Sequence, residues 1–295
     1  MRRTGQNWMG RLLAVVALWC VAALPAPAHG ADLLADEGGG LYEIRITTFS
    51  DGDMPLFETR GRLRIDAAGE GRWRVRLLGV EVFDRSINRW SDVIVDSVDP
   101  RALDLPDGVL VEFIVDGPPD LEALIPADIP NIAFGLLLEA STLLALCSDD
   151  GGLDRLEAPG DAVDIDGFTT DWTRPHGSPA ARRILHAGRS TLERIENGVA
   201  TVAIRTAGLR WATIRGYATL RLSYGEEPYP IVLRINAESG ALESASVDRS
   251  ILTYREFGEV QDADLPLVDE VAFPADAPTF TTRRSVELER ISESD

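Results

Sequence analysis

Few residues in this chain have the types and spacing that chemistry needs. Asp161, Asp164, Asp166 and Gly167 form the run Asp-Ala-Val-Asp-Ile-Asp-Gly, which has the outline of a calcium loop. Such a loop needs carboxylates at alternate positions, glycine at the sixth and a bidentate glutamate at the twelfth. Placing Gly167 at the sixth puts Ala162 at the first and Thr173 at the twelfth, so the run reads as a solvated acidic loop. Beyond residue 30 the only histidines are His176 and His186. They fit neither the His-Glu-x-x-His pattern nor any Cys/His ligand spacing, and no Gly-x-Ser-x-Gly elbow occurs. No lysine occurs anywhere, which excludes a Schiff base, a Ser–Lys dyad and a phosphate-loop lysine. With 48 acids a carboxylate pair for hydrolysis could arise on any fold. The expectation is therefore no catalytic residue, no metal ligand and no cofactor.

Charge and targeting narrow the class further. Arg2, Arg3 and Arg11, the apolar run 12–24 and the small-residue stretch Ala26-Pro27-Ala28 compose a signal peptide over 1–30,. The mature chain is then periplasmic or secreted, with no stable transmembrane segment after cleavage. Residues 1–30 hold three arginines and no acid, so their removal takes the formal charge from −19 to −22. Such a chain repels nucleic acid and anionic headgroups, which bind to a basic face. Cys147 is the one cysteine left after residue 30; no intrachain disulfide can form, and a buried thiol beside Leu136, Ala140 and Leu143 is expected.

The element that must position everything else is a helix over 131–147, apolar around most of its circumference. It cannot lie on a surface with one face in water, and it is short for a membrane span. Strand patterns flank it. Tyr42, Ile44 and Ile46 alternate with Glu43, Arg45 and Thr47; Trp73, Val75 and Leu77 alternate with Arg72, Arg74 and Arg76,. A phase slip near Leu78-Gly79 predicts a bulge. Asn197-Gly198 between two alternating runs predicts a tight hairpin. Strands are further expected over 109–116, 211–224, 229–236, about 241–254 and 279–291, making about eleven in all. The fold class is mainly β, with long antiparallel strands in a strongly curved sheet or open barrel enclosing one apolar helix. Residues 31–295 form a single domain: a first sheet half at 41–118, the helix, an irregular insert at 148–185 that is a flap or holds short strands, a second sheet half at 186–255, and a last strand at 279–291.

Between helix and curved sheet the sequence predicts an apolar cavity. Its lining is read as Phe134, Leu136, Leu137, Leu143 and Cys147 from the helix, with Trp73, Trp211 and Tyr217 from the strands.

The run of strands, the turn before Trp73, Asp96-Ser97 and the stretch Val111-Glu112-Phe113-Ile114-Val115-Asp116 resemble exported bacterial β-rich domains of unknown function. In style they are similar to lipoprotein-carrier half barrels, over 41–255. The resemblance implies a curved sheet that cups acyl chains under a helix; it carries over no site residue, and the 148–185 insert departs from it. The expected function is a non-catalytic binding or carrier protein for a hydrophobic guest, a lipid or lipoprotein acyl chain. The alternatives are an envelope structural or interaction module with a filled core, and a carboxylate-based hydrolase.

Overall fold

The computed structural model describes residues 39–49, 54–69, 72–84, 88–92, 111–115, 120–124, 131–147, 152–173, 179–185, 187–206, 209–215, 219–225, 230–257 and 279–292. The signal peptide and Tyr217 lie outside them. The first strands are β1 (Gly40–Phe49), β2 (Pro55–Gly69), β3 (Arg72–Asp84), β4 (Arg89–Asp92), β5 (Val111–Val115) and β6 (Asp120–Leu124). The helix α1 (Asn131–Ala145) follows, continued by a turn through Cys147. A 3₁₀ turn (Leu153–Arg155) leads to β7 (Ala162–Ile165), β8 (Phe168–Thr173), β9 (Pro179–Leu185), β10 (Gly188–Glu196) and β11 (Val199–Thr206). The last strands are β12 (Leu209–Arg215), β13 (Thr219–Gly225), β14 (Pro230–Asn236), β15 (Leu242–Phe257) and β16 (Thr279–Ile291).

These sixteen segments make one sheet; fifteen combine into ten antiparallel strands, and β6 is added at one edge. Gly188 pairs with Ile165 and Leu185 with Phe168, so β7 and β8 run against β10 and β9 in one unbroken register. Likewise β10 and β9 run against β11 and β12, with Gly188 opposite Thr206 and Leu185 opposite Leu209. β14 and β13 both lie along β15, from Ile231–Val247 to Gly225–Ile251. One ladder is parallel, β6 with β8. The expected strand 211–224 is instead a hairpin, with Arg215 opposite Thr219. The 148–185 stretch holds β7, β8 and β9, the strand-bearing option of the two the sequence offered.

Curvature follows from the connections. β5 pairs with β3 at one end of the sheet and β6 with β8 at the other. Five residue steps separate Val115 from Asp120, a reach of at most about 18 Å. The sheet must therefore bend until its two ends nearly meet. No ladder among the described residues joins β5 to β6, so it stays open.

Local sequence explains the shape. Arg62 pairs with Gly79 but Leu63 with Leu77, which leaves Leu78 as the extra residue of a bulge,. Asn197 (φ 52°) and Gly198 (φ 79°) turn β10 into β11, in the left-handed conformation an Asn-Gly pair tolerates,. The convex face carries charge in opposed pairs. Arg60 Nε donates to Glu81 at 2.5 Å, and Arg76 donates to Glu112 at 2.6 Å and to Asp66 at 3.0 Å. The arginine rows are thus tied to acids on neighbouring strands.

Candidate functional site

The concave face is where the apolar side chains converge. One row crosses nine strands through direct cross-strand partners: Val163, Ser190, Ile204, Ile231, Val247, Val286, Ile46, Thr59 and Val82. The next row runs Leu192, Val202, Leu233, Ala245, Leu288, Ile44, Gly61 and Val80 by the same ladders. Strand spacing of about 4.8 Å makes this surface about 40 Å wide. Strict alternation puts these residues on one face, and a slip of one residue would turn them to water.

Helix α1 lies on this surface against β1, β2, β3 and β5. Gly61 makes the approach close: a Cβ there would stand 3.0 Å from Leu136 Cδ1. On the β10 flank the 3₁₀ segment closes the face. Leu153 and Leu156 are buried, Gly160 N–H donates to Leu192 O at 2.8 Å, and Leu192 N–H donates to Asp161 O at 2.9 Å. Asp161 itself caps this turn, its Oδ2 accepting from the N–H groups of Glu157 and Ala158; that is a turn role for the first acid of the calcium-like run. Within α1, the Ser141 and Thr142 hydroxyls both donate to the Leu138 carbonyl, at 3.0 and 2.9 Å. Hydroxyls in a buried helix are satisfied by bonding back to the preceding turn.

The one acid on α1 forms the most distinctive contact. Glu139 is 1% exposed, and its Oε1 accepts from Arg249 Nη2 and, at 3.2 Å, from Arg284 Nη1. Arg249 on β15 and Arg284 on β16 are direct cross-strand partners. Arg249 shares the parity of Val247 and Ile251 and is 3% exposed, whereas the Arg284 side chain is 20% exposed. The row continues through Thr48 to Phe57, which is 40% exposed. The Val247–Val286 row is thus followed by two guanidinium groups that share one carboxylate oxygen, from the buried Arg249, with the fully buried Ile251 beyond it, to the partly exposed Arg284. A charge pair at this depth is costly to desolvate and survives only when bonded this closely.

The expected lining residues fall as follows. Leu136 and Leu137 are fully buried, Leu143 is nearly so, and Cys147 closes the turn after α1 with its thiol pushed up to about 12 by burial. Trp73 is 4% exposed on the inward side of β3, opposite Val115, and its indole N–H has no hydrogen-bond partner among the described residues. Tyr42, which sequence reasoning left out of the lining, joins this group: its hydroxyl donates to Leu242 O at 2.8 Å, and burial raises its pKa to about 12. Phe134 lies on α1 and Trp211 on β12 opposite Ser223 and Arg183, but their side chains are outside the described set. A groove of about 570 Å³ lies at the ends of β14, β15 and β16. Its walls include Arg234, Glu243, Glu289 and Arg290, so it is polar and distinct from the apolar face.

No described helix is long and apolar enough to cross a membrane. No protein-family model matches the sequence, nor does any curated protein. Among solved structures, the chain is similar to one described as showing lipid–protein interactions in lipovitellin. The TM-score is 0.41 at 10% identity, over 86% of this chain and 25% of that one. The chain spans about a quarter of that protein's length.

Proposed function

We propose that this chain is a non-catalytic, exported binding protein for a hydrophobic guest, a lipid or a lipoprotein acyl chain, acting in the periplasm or after secretion. The observation that carries this reading is the size of the apolar concave face. It is about 40 Å wide, whereas the 15-residue α1 is about 22 Å long and 10 to 12 Å across,. The interior of the curved sheet is thus broad and apolar, and ligand sites characteristically form in such concave places. Its row residues from β10 to β2 are at most 6% exposed, so a guest takes the place of groups that now cover them. Phe134, Leu136, Leu137, Leu143, Cys147, Trp73, Trp211 and Tyr217 are its proposed lining.

The test is extraction of the purified protein with organic solvent, followed by mass spectrometry, together with titration of a fluorescent fatty-acid analogue. Recovered lipid and saturable binding are expected. Absence of both would overturn the reading in favour of the second one, an envelope scaffold with a filled interior. A specific observation favours that second reading: the described side chains of α1 and the buried Leu153 and Leu156 are at most 4% exposed. The carboxylate-hydrolase alternative is weaker, since Glu139, the buried acid of this face, is held between two arginines.

A further inference from the structure

We propose that the Arg249–Arg284 pair is a headgroup site for an anionic amphiphile, filled in this structure by the chain's own Glu139. The inference rests on the guest-binding reading and names the class of guest. Two guanidinium groups held side by side by a β-ladder, next to the buried Val247–Val286 row, are the arrangement that recognises a carboxylate or phosphate,. Glu139 supplies that anion from the helix, and a single oxygen, Oε1, accepts from both arginines. Arg284 is 20% exposed, and two strands along the same row, beyond the half-buried Thr48, Phe57 is 40% exposed. A guest entering there would meet a cation and, about 10 Å along the row, an apolar ring, and its tail would have to displace groups that bury the adjoining apolar row. The helix carboxylate is then an internal competitor: a guest anion takes its place on the arginines, and an uncharged guest gains nothing from the exchange.

Dodecanoate, dodecyl phosphate and methyl dodecanoate test this, each titrated into the full chain, its Glu139→Gln form and its Arg284→Gln form. In the unaltered protein the two anions should bind more tightly than the ester. Glu139→Gln removes the competing charge and should strengthen the anions about tenfold relative to the ester. Arg284→Gln should abolish the preference. A response confined to dodecanoate identifies a fatty-acid headgroup, and one confined to the phosphate identifies a phospholipid-like one; either supports the site. Equal changes for all three compounds would reduce Glu139 to a structural pin and overturn the inference while leaving guest binding intact. No binding of any compound would overturn the proposed function and this inference with it. Should Glu139→Gln fail to fold, the unaltered protein and the partly exposed Arg284→Gln still decide the matter.

Discussion

Leu136 of α1 sits directly over Gly61 of β2, so close that a Cβ on the glycine would lie 3.0 Å from the Leu136 Cδ1 methyl. Its strand neighbours Ile44 and Val80 carry full side chains on the same row, so this one glycine forms the notch that seats the helix. Gly61→Val should overpack the notch and cost about 1 to 3 kcal/mol. The denaturant midpoint should fall with an unchanged slope. A midpoint at the wild-type value would mean that the helix is not seated there.

Arg249 gives a second prediction. Replacing it by Met takes a buried arginine partner from the buried Glu139, and the loss should reach about 3 to 5 kcal/mol,. Adding Glu139→Leu should recover most of that loss, because a buried ion pair exchanged for apolar groups is close to neutral. The two midpoints, measured side by side, check the coupling; simple additivity of the two changes would refute it.

Tyr42 carries its hydroxyl into the core to reach the Leu242 carbonyl. Tyr42→Phe keeps the ring and strands that acceptor, at about 1 to 2 kcal/mol. Because Leu242 opens β15, faster amide exchange should appear at the β14–β15 hairpin before it appears elsewhere.

Two buried groups predict the alkaline limit. Cys147 is raised from 9.0 to about 12 and Tyr42 from 10.0 to about 12, in both cases first by burial. In the unfolded chain each ionises near its ordinary value, so the unfolded state sheds protons before the folded one does. The stability these groups contribute is whole below about pH 9 and is lost between there and about pH 12. Denaturation midpoints should fall over that window, and Cys147→Ala should make the first part of the fall shallower. At pH 8 the native thiol should be inert to a thiol reagent and react only on unfolding.

Most of the fold was legible from side-chain periodicity, which is a local property. The helix read over 131–147 is Asn131–Ala145 with its closing turn, and the last strand read over 279–291 is Thr279–Ile291. The Leu78 bulge and the Asn197-Gly198 turn were each announced by a glycine at the required place. The hairpin within 211–224 was missed because residues on both its strands alternate, and only Gly216 interrupted the run. The register shared by β7–β8, β9–β10 and β11–β12 was also invisible, since partners on other strands set it. The Glu139 contact depended on residues 110 and 145 positions away. One signal was available. Glu139 is the only charged residue in 131–147, and an acid in so apolar a helix seldom stays buried without a partner.

Strand β16 is the only link, among the described ladders, between β1–β5 and the rest of the sheet: it pairs with β1 on one side and β15 on the other. Leu41 meets Ile291, so the earliest described strand waits for the latest before the two halves can join. Assembly of this kind is slow, because the entropy of closing a very long loop comes due before its contacts form. The keystone must arrive before the arch can stand, and until then the half-built vault exposes the greasy ceiling it will later enclose.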